Sequence, residues 1–257
     1  METVSHDGRE TAYEVFDHDA TGPTVLCVHG SGGTRDVWRG QTRLADDHPV
    51  VTVDLSGHGD SEDVDADAGP ETLGAYADDV VAVAEQTDAD VLVGNSMGGA
   101  VALRVALARE YPLSGLVLAG TGPRLPVMDD LLVWLAEDFD RAVEFLHEPG
   151  RLFHDPDERS VAASRETMRA TGRAVTERDF RSCHTFDVRD RLGEIAVATL
   201  ALVGEHDKLT PPAYHETFHE RIPDCELGVV EDAGHLAMLE RPTAVNEAVR
   251  SFLDRAV

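Results

Sequence analysis

Three side chains of this sequence, Ser96, Asp207 and His235, could together carry out acyl transfer. A serine hydroxyl is a weak nucleophile; it needs a base within hydrogen-bond reach, and that base needs an acid to orient it. Ser96 stands in Gly94-Asn95-Ser96-Met97-Gly98, a Gly-x-Ser-x-Gly pattern. An apolar, β-branched run precedes it and a helix-forming run over 101–109 follows. A chain that turns from strand to helix so quickly holds the serine out at the sheet edge, in strained backbone. The competing reading is a glycine-rich turn with an incidental serine, so the context of the motif must decide.

That context is supplied by the ends of two other strand-like runs. His235, in Gly234-His235-Leu236, follows the last of them, and Asp207 follows the one before. Both therefore reach the sheet edge that carries Ser96, in the chain order serine, aspartate, histidine. Glu205 and Asp232 are the rival acids. Neither sits so well at the tip of the preceding strand's loop, and an Asp232–His235 pair would aim the histidine poorly at Ser96.

A tetrahedral intermediate carries an oxyanion that needs two fixed donors. The Met97 N–H, at a helix N-terminus, is one candidate. The backbone of His29-Gly30-Ser31-Gly32-Gly33 is freed by its glycines to present the other, the Ser31 amide. His29 itself reads as a brace for that loop. Trp38, Met97, Trp134 and Leu236 are candidates for the wall of a substrate pocket, with ordinary core packing as the competing assignment. Among the other histidines, His184 could line the lid segment. His206 reads as facing away, and His6, His18, His48, His147, His154, His215 and His219 as surface groups.

The elements that would position these residues follow from hydrophobic periodicity. Strands are expected over 10–16, 24–28, 49–53, 91–93, 115–119, 197–203 and 226–230. Helices are expected over 37–45, 73–84, 101–109 and 245–253, with a further one opening at Pro211-Pro212. This alternation predicts an α/β fold with a mostly parallel, doubly wound sheet. Residues 124–188 carry no strand pattern, only amphipathic helical segments near 128–137, 139–147, 157–169 and 176–186. The expected organisation is a core of residues 1–123 and 189–257, with 124–188 inserted as a helical lid over the crevice.

Charge is the outlying feature of the composition. Forty-nine acidic residues against 22 basic ones give a formal charge of −27 over 257 residues, and Lys208 is the only lysine. That balance argues against nucleic acid and against anionic membrane surfaces as partners. The carboxylates are dispersed rather than gathered in a tail. This predicts a halophilic protein adapted to multimolar salt, where the screening length falls to about 3 Å at 1 M. No apolar run is long enough to span a membrane, and the first residues lack the basic and apolar regions of a signal peptide. Cys27, Cys183 and Cys225 are scattered without C-x-x-C spacing, so no disulfide framework is expected and a reducing cytoplasm fits. The histidines show no metal-ligand spacing and no G-x-G-x-x-G occurs, so neither metal nor cofactor is implied. A small-molecule substrate is the expected partner, and no pattern sets an oligomeric state.

With these residues in place the chain resembles the α/β-hydrolase superfamily, in its small lid-bearing branch of serine hydrolases and esterases. The resemblance covers nearly the whole length. It rests on His29-Gly30, Asp54-Leu55-Ser56-Gly57-His58-Gly59-Asp60-Ser61, Gly94-Asn95-Ser96-Met97-Gly98-Gly99, Gly204-Glu205-His206-Asp207 and Gly234-His235-Leu236. It implies Ser96 as nucleophile, Asp207 as acid, His235 as base, and Ser31 and Met97 as oxyanion donors. Ser56 departs from the arginine usual before Gly-His-Gly, in a loop that is mostly structural. Serine at the elbow, where dehalogenase and epoxide-hydrolase relatives carry aspartate, points away from those activities. The implied function is a carboxylesterase on small esters working through an acyl-enzyme. The alternatives are a C–C bond hydrolase of ring-cleavage products, an enol-lactonase or a cofactor-free haloperoxidase. A non-enzymatic binding protein would usually have lost a member of the triad, and none is missing.

Overall fold

Short runs rich in valine and leucine must be covered on both sides, and they become the centre of one sheet. The computed structural model describes residues 1–108 and 111–257. Its strands are β1 (Glu2–His6), β2 (Arg9–Phe16), β3 (Val25–Val28), β4 (Val50–Val53), β5 (Val91–Asn95), β6 (Gly115–Ala119), β7 (Ala198–Gly204) and β8 (Cys225–Val230). They lie in the order β1-β2-β4-β3-β5-β6-β7-β8. Every residue of β3, β4, β5 and β6 is buried. From β4 to β8 neighbouring strands pair in parallel, whereas β1 with β2 and β2 with β4 are antiparallel.

The helices are α1 (Pro70–Thr87), α2 (Met97–Ala108), α3 (Asp129–Glu137), α4 (Phe139–Leu146), α5 (Glu158–Thr171), α6 (Arg173–Thr185), α7 (Pro212–Arg221), α8 (Ala237–Glu240) and α9 (Pro242–Ala256). Alternate strand residues point to opposite faces of the sheet, and this splits the core in two. Leu26, Val28, Leu92 and Leu118 pack with Tyr76 and Val80 of α1 and Leu103 of α2. Val25, Cys27, Val91 and Val93 pack instead with Val245, Val249 and Phe252 of α9. Cys27, Cys183 and Cys225 are free thiols. Among the described residues no helix is long and apolar enough to cross a membrane.

Three features differ from the sequence expectation. β1 is an additional strand, so the strand at Val25–Val28 is third rather than second. With Val4 its only apolar residue, β1 shows no hydrophobic period. The signal for it was Asp7-Gly8, where φ is 46° and 80°, as in a two-residue hairpin turn. The helix expected over 37–45 is instead a pair of 3-10 turns, Arg35–Trp38 and Gln41–Asp46. They are separated at Gly40, whose carbonyl accepts from Asn246 Nδ2 (2.9 Å) instead of continuing a helix. α2 opens four residues before the expected 101–109, and Arg109 lies outside the described residues.

Residues 124–188 hold α3 to α6, and among the described residues they contain no strand longer than a bridge. The two ends of the stretch meet. Arg124 and Asp187 form an isolated antiparallel bridge, and the Val188 N–H donates to the Pro123 carbonyl (2.8 Å).

Candidate active site

β5 ends at Asn95 and α2 begins at Met97, so Ser96 alone makes the turn between them. Its φ is +54°, a region that costs a non-glycine residue about 1–3 kcal/mol. Neighbouring groups hold it there. The Ser96 N–H donates to the Ala119 carbonyl (3.1 Å), and the Ser96 carbonyl accepts from the Gly99 and Ala100 amides (3.0 and 3.2 Å) and from Thr121 Oγ1 (2.7 Å). A Cβ at Gly94 would lie 2.3 Å from the Gly98 carbonyl oxygen, and one at Gly98 would lie 2.3 Å from that of Val28. Close packing of backbone therefore demands both glycines of the motif.

Beyond the ends of β7 and β8, His235 Nδ1 lies 2.9 Å from Asp207 Oδ2, with both residues buried. The other Asp207 oxygen accepts the Leu209 and Thr210 amides, each at 2.9 Å, and Thr210 Oγ1 donates to Oδ2 (2.7 Å). Burial opposes ionisation, but the His235 ring and the Thr210 donors hold the Asp207 carboxyl below its usual range. An ionised Asp207 accepts the Nδ1–H of His235, which leaves Nε2 free to take a proton. Glu205 is exposed, lies 3.7 Å from His206, and accepts the Asp232 N–H. Both rival acids are thus exposed, away from the buried His235–Asp207 contact.

The loop after β3 carries the expected second donor. Among the described residues, neither the Ser31 nor the Met97 amide donates a backbone hydrogen bond. The next amide, Gly32, donates to Asp179 Oδ2 (3.0 Å) on α6. The same oxygen is 2.9 Å from His58 Nε2, and Oδ1 accepts from the Tyr76 hydroxyl (2.8 Å). Burial works against charge on His58, but the Asp179 carboxylate and the Ser56 carbonyl at Nδ1 raise its pKa, and both ring nitrogens face acceptor oxygens. Beside it, burial and the neighbouring His58 lower the His29 pKa to about 4. Neutral His29 donates from Nδ1 to Gly30 O (2.9 Å) and accepts the Leu55 N–H at Nε2 (3.1 Å), which braces the loop.

Ser31, Ser96, His235 and Leu236 line one cavity of about 560 Å³. Most of its apolar wall comes from 124–188, including Leu125, Met128, Phe145, Leu152, Met168 and Phe180, and the rest of the lining comes from the loops after β3, β5, β7 and β8.

This chain matches the model of the alpha/beta hydrolase family over residues 25–248. It belongs to that family. The hydrolase is 30% identical over 246 residues to the pimeloyl-[acyl-carrier protein] methyl ester esterase of Neisseria meningitidis serogroup A, covering 90% of this chain and 76% of the relative. It is 27% identical over 264 residues to the 2-hydroxy-6-oxo-6-(2'-aminophenyl)hexa-2,4-dienoic acid hydrolase of Metapseudomonas resinovorans, covering 98% and 90%. A thermophilic esterase of known structure superposes with a TM-score of 0.88 at 30% identity, covering 99% and 97% of the two chains.

Not every expected pocket residue of the hydrolase lines the cavity. Leu236 does, but Trp38 is wholly buried in the core, and only its neighbours Val37 and Arg39 reach the wall. Trp134 lies edge-on against Phe145 (5.1 Å between centroids) with the Arg141 guanidinium over its ring, one layer outside the cavity. Met97 is buried among the α1 and α2 side chains. His184 is exposed, its ring held by Val127. Thr210 and Asp179 went unnoticed in the sequence. Thr210 had a local signal, an Asp followed three residues on by Thr, which is a side-chain-capped turn. Asp179 had none. The departure at Ser56 has a structural counterpart, because Arg9 of β2 reaches over to donate to Ser56 Oγ (2.9 Å) and to Asp79 (2.7 Å).

Proposed function

We propose that this hydrolase is a carboxylesterase acting on small esters, with Ser96 as nucleophile, His235 as general base and Asp207 as its orienting acid. The observation that carries the reading is the buried 2.9 Å contact between His235 and Asp207, on a ring that shares a cavity with Ser96. Ser96 Oγ attacks the ester carbonyl and passes its proton to His235 Nε2. The oxyanion takes the Ser31 and Met97 amides, each donor being worth about 2.7–4 kcal/mol of transition-state stabilisation. Collapse expels the alcohol with the proton from His235, and water repeats the sequence on the acyl-enzyme. Asp207 stays ionised throughout and supports the imidazolium.

In this reading residues 124–188 are a lid, because they supply most of the apolar cavity wall that would receive the acyl chain. No metal or cofactor takes part. Three free thiols support a cytoplasmic setting, and the −27 charge supports a halophilic one. The test is hydrolysis of p-nitrophenyl acetate in multimolar KCl by wild type and Ser96→Ala. The variant should lose at least about a thousandfold in rate, and parent-level activity would overturn the assignment. Lactones and vinylogous diketones belong in the same panel, since a relative at 27% identity is named for a dienoic acid hydrolase.

A further inference from the structure

We propose that His154, His206 and Asp232 form a binding site for a divalent transition ion of the Zn²⁺ class, at the seam between residues 124–188 and the loops that carry Asp207 and His235. One ligand atom from each residue lies within 4.8 Å of the other two, and the two imidazole rings sit 3.7 Å apart between centroids. A four-coordinate ion with bonds of about 2.0–2.1 Å needs its donors about 3.3 Å apart. His154 and Asp232 are exposed and His206 is partly so, so small side-chain rotations close that gap. Glu205 offers a further oxygen, 3.7 Å from His206 Nε2.

The backbone beneath these ligands is already fixed. Glu240 accepts the His154 and Asp155 amides at Oε1 (2.9 and 2.7 Å) and the Gly234 amide at Oε2 (2.7 Å). The Leu236 N–H donates to the Leu152 carbonyl, and the His206 N–H to that of Ala233, each at 2.9 Å. At Gly234 a Cβ would come within 2.8 Å of His154 N, so the 152–154 segment lies flush on the His235 loop. An ion would therefore meet a preorganised set of ligands instead of having to gather three mobile loops.

Chemistry narrows the ligand. Two imidazoles with one or two carboxylates suit zinc, cobalt, nickel or copper, while calcium and magnesium prefer all-oxygen shells. The strongly acidic surface raises the local concentration of any divalent cation. The spacing rules missed the site because its ligands come from three separate loops that meet only in the fold. A bound ion would add a bond between 124–188 and the loops of the candidate triad.

The test is calorimetric titration of Zn²⁺ into the chelator-stripped full chain, alongside His154→Ala and Asp232→Asn. Both substitutions are at exposed positions, and asparagine tolerates the positive φ of residue 232 (+52°). The expected result is one saturable site per chain with Kd below about 100 µM, weakened at least about tenfold by each substitution. Weaker binding, or binding that survives either substitution, would overturn the proposal.

Discussion

The Asp179 carboxylate, carried by α6, lies 2.9 Å from Nε2 of His58, and neither side chain is exposed to solvent. Asp179 also holds the amide of Gly32, next to the candidate oxyanion donor Ser31. One buried carboxylate thus joins a helix of residues 124–188 both to the loop after β4, through His58, and to the loop that would stabilise the transition state, through Gly32.

Breaking that pair strands a charge, which typically costs about 3–5 kcal/mol. Asp179→Ala should destabilise the hydrolase by that order in urea melts. Asp179→Asn keeps the size but loses the anion, and it should lower kcat for ester hydrolysis more than it changes KM, because the donor loop is loosened. Unchanged kcat in the asparagine variant would show that Gly32 does not need its carboxylate partner.

Asp207→Asn should leave the fold intact and remove the ionised acceptor of the His235 Nδ1–H. Comparable replacement in serine hydrolases lowers kcat by about 10⁴-fold through the wrong imidazole tautomer. Stopped assays near neutral pH would measure the loss. A change of less than tenfold would point to another acid.

His215, expected from the sequence at the surface, is fully buried, and burial lowers its pKa to about 4, so between these values the folded ring stays neutral where the unfolded one, near 6.5, is charged. The sign follows directly. Full stability is present above about 6.5 and declines as pH falls toward 4, because the unfolded chain binds the extra proton. His215→Gln preserves an acceptor for the Thr121 N–H, which the wild-type ring accepts at 3.3 Å. Urea melts of this variant between pH 6.5 and 4 should show a slope smaller by about one proton.

The −27 charge predicts strong salt dependence. In dilute buffer the carboxylates repel each other over a Debye length of tens of ångströms; at 1 M that length is about 3 Å. The thermal midpoint should rise steeply from dilute buffer to multimolar KCl. A midpoint that does not move would reject the halophilic reading.

What the sequence made legible was whatever leaves a local trace. Ser96 lay between an apolar run and a helix, and Asp207 and His235 each followed a strand, so topology alone brought them to one edge. The Asp179–His58 pair left no such trace, because its members are far apart in the chain and each looks like an ordinary polar residue. Tryptophan misled for a related reason. An apolar ring is equally suited to a core and to a pocket wall, and only the fold shows Trp38 sealed inside while Val37 and Arg39 face the cavity. β1 was hidden because a five-residue edge strand with one apolar residue, Val4, has no hydrophobic period, and only its turn residues announce it.

The joined ends of residues 124–188 have an evolutionary reading. With Val188 bonded to Pro123 and Arg124 bridged to Asp187, the chain leaves and re-enters the sheet region at one doorway. β6 and β7, the strands on either side of the segment, pair in parallel. A replacement segment of different length would have to match those two anchor points and supply the partners that Asp179 gives Gly32 and His58 and that Leu152 gives Leu236, but ends already held together at the doorway keep the loop-closure cost of a length change mild. The apolar part of the cavity wall that this segment supplies can therefore be rewritten around those contacts while Ser96, Asp207 and His235 stay where they are.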